Sequence, residues 1–347
     1  MAHGVRGRRR KRLLSAAIAL AVLFFSRTTG AQSIGERYDA LVAQYARGDQ
    51  ENAVLAFTRW SRAETSAAIA RADTSGGGPS RASVMLHTDT GIALLIAGAT
   101  NHAVVHWNGA ARQVSTMRNH RPDERAQRFA SRWLAVIATV YTAHGMFGYA
   151  ERTIRNALTW YSKEPLLYVA RGALEEMRIG LTFVDQRSGY QITRRDRAYE
   201  SAAADYRRAI KFDDRLAIAY LRLGWVHFTL HDDRARENFD AALARAADVR
   251  DRYLAHLFLA AAAERDNRLD EAQRDYEAAR EAAPACQTPY IALTRLEGAL
   301  GRTARAREIA ASLTALPEKS NDPWWDFHLG GFDQVTLTWL RAEAARE

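Results

Sequence analysis

Between Arg268 and Cys286 the chain reads RLDEAQRDYEAAREAAPAC. Ala272, Tyr276 and Ala279 fall at intervals of four and three, which places them on one face of a helix. Charged residues fill the other face. Pro284 has no N–H to donate and should end the helix. The same spacing returns along the chain as Ala-x-x-x-large, followed three residues on by another packing position. The copies are Ala53/Phe57/Trp60, Ala103/Trp107/Ala110, Ala150/Ile154/Ala157, Ala202/Tyr206/Ala209, Ala235/Phe239/Ala242, Ala272/Tyr276/Ala279 and Ala306/Ala310/Leu313. Seven copies at one internal spacing indicate a repeated unit, and copies late in the chain carry an upstream partner. Tyr220, Leu223, Gly224 and His227 precede Ala235. His256, Leu259 and Ala260 precede Ala272, and Tyr290, Leu293 and Thr294 precede Ala306.

Each such unit therefore has two helical parts. Small residues such as Gly224, Ala260 and Ala272 mark where the two backbones approach, because axes about 8–10 Å apart leave no room for larger side chains. Tyr206, Phe239 and Tyr276 fill the groove toward the next pair. One pair cannot bury its own apolar face, so the pairs must stack. The intervals from Leu259 to Leu293 and from Ala272 to Ala306 are both 34 residues. This pattern resembles the tetratricopeptide repeat (TPR), a unit of about 34 residues with the pattern W-x₂-L-G-x₂-Y…A-x₃-F…P. Residues 253–286 match it best. The resemblance implies an all-α, right-handed helical-repeat solenoid of about seven helix pairs with a C-terminal capping helix, over roughly residues 34–320.

The spacing is uneven. The expected organisation is a leader at 1–31, irregular TPR-like helix pairs over 32–117, a linker at 118–130, a regular array over 131–320 and a C-terminal cap at 321–347. The N-terminal excess falls in two polar breaks, Ala72–Ser80 (ADTSGGGPS) and the segment opening RNHRPDE at Arg118. Within the array, residues 180–197 (GLTFVDQRSGYQITRRDR) interrupt one pair and carry the chain's strongest strand signal, Thr182-Phe-Val and Tyr190-Gln-Ile-Thr. This insert reads either as a tolerated surface excursion or as a loop contacting ligand through Tyr190. Near the end, Trp324, Trp325 and Phe327 precede a Gly-Gly break, and Asp333 is placed to cap a last helix carrying Val335, Leu337 and Leu340. Those tryptophans either pack on the last pair or form an exposed aromatic platform.

Charge changes the picture only at the N-terminus. The net charge is +9, but residues 1–31 hold seven basic residues and no acid, leaving a net of +2 for the rest. A near-neutral body has no basic footprint for nucleic acid. The basic stretch RGRRRKR, the 13-residue apolar run Leu13–Phe25 and the Thr29-Gly-Ala-Gln junction have the layout of a secretory signal peptide. Cleavage is expected after Ala31, giving a periplasmic or secreted chain without a transmembrane span, since about 20 apolar residues are needed to cross a bilayer. The single Cys286 can form no internal disulfide and reads as a small helix-end residue.

No catalytic constellation stands out. The sequence holds no phosphate loop, nucleophile elbow or Cys-x-x-Cys pair. His102/His106 and His227/His231 have the i, i+4 spacing of zinc ligands, but Ala103 and Phe228 stand where a metalloprotease carries Glu. No catalytic residue, metal or cofactor is expected. Some TPR domains hold a peptide carboxylate with Lys and Asn on the first helix of each pair. Here those positions carry Leu221, Trp225 and Phe228, then Leu257, Ala261 and Glu264, so that docking function is not implied. An apolar groove fits a hydrophobic or amphipathic partner segment instead. The expected function is a non-catalytic scaffold of the cell envelope, binding a protein or peptide partner along its concave face through Leu221, Trp225, Phe228, Leu257, Tyr190, Trp324 and Trp325. The alternatives are an accessory subunit of envelope or polysaccharide machinery whose aromatics touch glycan, and a metal-dependent enzyme built on the His pairs.

Overall fold

A computed structural model of the chain describes residues 81–96, 98–120, 123–181, 189–316, 322–330 and 334–346. The described residues form fourteen helices and no strand. In chain order they are α1 (Arg81–Ile96), α2 (Thr100–His120), α3 (Glu124–Ala143), α4 (Phe147–Trp160), α5 (Pro165–Leu181), α6 (Gly189–Phe212) and α7 (Ala217–Thr229). Then follow α8 (Arg234–Arg245), α9 (Val249–Arg265), α10 (Leu269–Ala282), α11 (Thr288–Ala299), α12 (Thr303–Thr314), α13 (Pro323–His328) and α14 (Gln334–Ala344). They fall into two compact units. One comprises the described residues up to Trp133 together with those from Val335 onward; the other is Leu134–Gln334.

The second unit is an all-α, TPR-like stack. Its pairs are α5/α6, α7/α8, α9/α10 and α11/α12, and the second helix of each of the first three also packs on the first helix of the next pair. The expected register holds. Ala202, Tyr206 and Ala209 of α6, and Ala235, Phe239 and Ala242 of α8, have no solvent exposure. Ala272, Tyr276 and Ala279 of α10 are buried as well. The reason for the small residues is visible. A Cβ on Gly224 would lie 2.6 Å from the Phe239 ring, and one on Gly172 would lie 2.5 Å from the Tyr206 ring. The aromatic of each of these second helices therefore lies against the bare backbone of its partner. As expected from Pro284, α10 stops at Ala282.

Five turns share one device. After α1, α3, α7, α9 and α11 stands a residue with positive φ: Gly98, Gly145, His231, Asn267 and Gly301. In each turn the next N–H reaches back five residues to a helix carbonyl, as in Asp232 to His227 at 2.8 Å and Arg268 to Ala263 at 2.8 Å. This satisfies carbonyls the helix end would leave orphaned.

The first unit holds the pair α1/α2, the start of α3 and the helix α14. Trp107 is fully buried, and a Cβ on Gly91 would collide with its indole. The Trp107 Nε1–H donates to the Thr88 carbonyl at 3.2 Å, and the Trp133 Nε1–H to the Thr88 hydroxyl at 2.7 Å. Helix α14 buries Leu337 and Leu340 and pairs Arg341 with Asp89 at 2.6 Å.

Three expectations change. Residues 118–130 are not a linker: they include the end of α2 and the start of α3. In the 180–197 insert, Tyr190–Thr193 are helical rather than strand, because α6 begins at Gly189; residues 182–188 lie outside the described residues. The C-terminal segment divides: α14 belongs to the first unit, whereas α13 lies against α9, and Asp322 just before it bonds Thr288 at the start of the last pair. The Ala53 copy, the Ala72–Ser80 break, the leader and Asp333 lie outside the described residues.

Candidate functional site

Leu221, Trp225, Phe228 and Leu257, four of the residues expected to bind a partner, lie on the first helices of the pairs, and the chain's own C-terminal segment already covers part of that face. Asp322 begins the segment and is almost completely buried. One carboxylate oxygen accepts from the Trp324 N–H at 3.0 Å and from the Tyr253 hydroxyl at 2.6 Å. The other accepts from the Thr288 N–H at 2.9 Å and the Thr288 hydroxyl at 2.5 Å. A single carboxylate thus caps both α13 and the first turn of α11, where backbone N–H groups lack partners and favour negative charge. Burial and the neighbouring Asp322 charge together hold the Tyr253 hydroxyl protonated far above its ordinary range.

Pro323 opens α13 at a position where its missing N–H costs nothing. Phe327 then inserts among the first helices and is fully buried. Its ring centroid stands 4.8 Å from Phe258 and 6.2 Å from Trp225. The Arg222 guanidinium lies over the same ring at 3.9 Å, and its Nη2 donates to the Phe327 carbonyl at 2.7 Å. Arg222 is itself buried, and its Nη1 stands 3.6 Å from a carboxylate oxygen of Glu176. His328 follows, against Trp324 at 4.1 Å and Trp225 at 4.6 Å. Burial, with Arg222 nearby, lowers the His328 pKa to about 4, so the ring is neutral at pH 7. The segment ends at Gly330, whose φ of +97° and 2.8 Å approach to Thr142 leave no room for a side chain.

The expected binding residues therefore divide. Leu221 and Leu257 are buried core. Trp225 and Phe228 are half-buried, 5.5 Å apart, and Trp225 packs directly on the segment. Trp324 faces inward against the same core, whereas Trp325 leaves 52% of its surface in solvent. Tyr190 lies in the first turn of α6. The structure gathers Trp225, Trp324 and Trp325 in one place. The residues that tie them together, Arg222, Asp322 and Phe327, were not singled out as site residues. An Asp-Pro pair ahead of aromatics was the available signal, since it starts a short capped helix.

The His pairs do not assemble. His231 sits beyond the end of α7 with φ of 57°, so it does not share the helical face of His227, whose Nδ1 instead meets the Asn238 amide at 3.1 Å. His102 is exposed, while His106 is buried with its Nδ1 3.1 Å from that of His87. Among the described residues no group of three His, Cys, Asp or Glu side chains could hold a metal ion. Cys286 is buried, and burial pushes its thiol up to about 12. No described helix is long and apolar enough to cross a membrane.

No protein-family model matches the chain, and no curated protein matches it. Solved helical-repeat structures do align with it. TTC0263, a TPR protein from Thermus thermophilus, is 20% identical over 62% of this chain and 98% of its own, with a TM-score of 0.45. A tetratricopeptide repeat protein from Parabacteroides merdae is 14% identical over 76% of this chain and 98% of its own, with a TM-score of 0.43. A monomeric mutant of IFIT1 with m7Gppp-AAAA is 15% identical over 67% of this chain and 55% of its own, with a TM-score of 0.42. None of the scores reaches 0.5, so the helical-repeat architecture rests on the packing described above.

Proposed function

We propose that the chain is a non-catalytic helical-repeat scaffold of the cell envelope that docks a protein partner over the outer side of its own C-terminal segment. One observation carries this reading. The inner side of α13 is filled by Phe327, Trp324 and His328, while Trp325 and Leu329, four residues apart, expose 52% and 48% of their surface. Large apolar residues left out beside a buried aromatic cluster have the make-up of an interface anchor rimmed by polar surface. Leu221 and Leu257, which a free groove would have offered, are occupied by packing. The leader-like N-terminus supports export, with the mature chain beginning at Gln32.

The test uses the native protein from an envelope fraction, its N-terminus read first and its partners then crosslinked, beside a Trp325→Ala/Leu329→Ala variant. A chain starting at Gln32, and one envelope protein captured by the wild type but not by an equally helical variant, is the expected outcome. A chain retaining Met1 would remove the export reading. Equal capture by both forms would remove this docking surface.

A further inference from the structure

Resting on the docking reading above, we propose that Arg222, backed by Glu176, sets how α13 presents its outer side, so that a buried ion pair positions the docking surface. Helix α13 has only six residues, too few to hold a helical shape or an orientation by itself. Its pose must come from anchors outside it. Asp322 supplies one, at the first turn. Arg222 supplies the other, at Phe327, and holds that residue in two ways. The guanidinium lies over the ring at 3.9 Å, and Nη2 donates to the carbonyl at 2.7 Å. Ring and carbonyl held together fix the rotation of the helix about its axis. A helix turns about 100° per residue, so residues two before and two after Phe327 lie about 200° round from it. Those residues are Trp325 and Leu329, the exposed pair. Whatever holds Phe327 inward therefore aims Trp325 and Leu329 outward.

Arg222 can do this only while its own charge is matched. Its side chain leaves 3% of its surface in solvent, and an unpaired cation at that depth is strongly destabilising. Glu176 of α5 is the carboxylate paired with it. Its Oε2 stands 3.6 Å from Nη1, and its side chain is 9% exposed. At that distance the contact is charge pairing rather than a hydrogen bond. The other Glu176 oxygen accepts from the hydroxyl of Tyr206 of α6, which ties the carboxylate to its own helix pair. Burial raises the Glu176 pKa, whereas Arg222 and the Tyr206 hydroxyl favour its charged form. A relay of Tyr206, Glu176, Arg222 and Phe327 thus runs from the α5/α6 pair through α7 to the segment. Glu176 acts on the docking surface without touching it, as a positioning residue working through Arg222.

The test is hydrogen–deuterium exchange across residues 322–330 of the full chain, read by mass spectrometry. Glu176→Gln keeps the shape and an acceptor for Tyr206 but removes the charge. Exchange in the segment should rise at least about tenfold, the scale of a lost charge-assisted hydrogen bond, with helicity unchanged. Arg222→Met should do the same. In the Arg222→Met background Glu176→Gln should raise exchange no further, because the carboxylate then has no cation to match. Crosslinked capture of the envelope protein should fall in each variant as exchange rises. Unchanged exchange in Glu176→Gln, or an equal further rise in the Arg222→Met background, would overturn the relay. Faster exchange with undiminished capture would overturn the positioning role and leave the docking reading standing. That reading fails by itself if the wild type and the Trp325→Ala/Leu329→Ala variant capture equally, and exchange then still decides whether Glu176 holds the segment.

Discussion

The middle of the array and its last pair carry the same repeat, yet they bury it differently. In α10, Ala272 and Ala279 have no exposure and Tyr276 almost none. In α12, the equivalent Ala306, Ala310 and Leu313 are all half-buried, and Ile309 is that helix's only buried residue. The middle pairs have neighbours on both sides, and Phe327 fills their inner face as well. The last pair has a described neighbour on one side only. A repeat pattern thus sets which face of a helix turns inward, while the depth of burial is set by what stacks on that face.

The largest expected effect tests that difference directly. Phe327→Ala should cost about 3–5 kcal/mol, the scale for deleting a fully buried aromatic. Leu313→Ala, at the half-buried edge of the last pair, should cost about 1 kcal/mol, since its surroundings already admit water. Denaturant unfolding followed by circular dichroism distinguishes the two. Equal costs would mean that the C-terminal segment contributes no more to the core than the array's edge does.

Acid should sharpen the same contrast through His328. Its pKa in the folded chain is depressed to about 4, against 6.5 when exposed. The segment's contribution is therefore complete above pH 6.5 and falls as pH drops from 6.5 toward 4, because protonation then favours the released state. Its partly exposed edge limits the loss to about 2 kcal/mol. His87, also depressed to about 4, adds a similar response within the first unit. His328→Leu isolates the segment's share: wild type minus variant stability should fall between pH 6.5 and 4. A flat difference over that range would show that His328 does not titrate with release.

Sequence reasoning reached the repeat because its signal is local. Ala272, Tyr276 and Ala279 announce a buried face by spacing alone, and Gly224 announces a close approach. The insert misled because Tyr190-Gln-Ile-Thr has strand propensity, yet it continues directly into α6, and a long helix overrides a four-residue preference. The segment's destination was not legible. Nothing in Asp322-Pro-Trp-Trp says that its carboxylate will reach Tyr253 and Thr288, contacts that span 69 and 34 residues. The turns were half legible: Gly145 and Gly301 stand shortly before the repeat alanines Ala150 and Ala306, but His231 and Asn267 take the same role without announcing it.

The smallest expected effect belongs to one of two glycines, one in each compared region. Gly224 of α7 faces the Phe239 ring at a distance no real Cβ could keep. Gly224→Val should force that ring or the α7/α8 backbone aside and cost about 1–3 kcal/mol. Gly298 of α11 has nothing within 4 Å of where its Cβ would stand. Gly298→Ala should therefore add about 0.5–1 kcal/mol of stability by restricting the unfolded chain and favouring helix. The two changes act on first helices of different repeats with opposite signs, and thermal unfolding of each variant reads the sign directly. If Gly298→Ala destabilised the chain, the open side of α11 would have to be covered by some further surface, and the difference between middle and last pair would shrink accordingly.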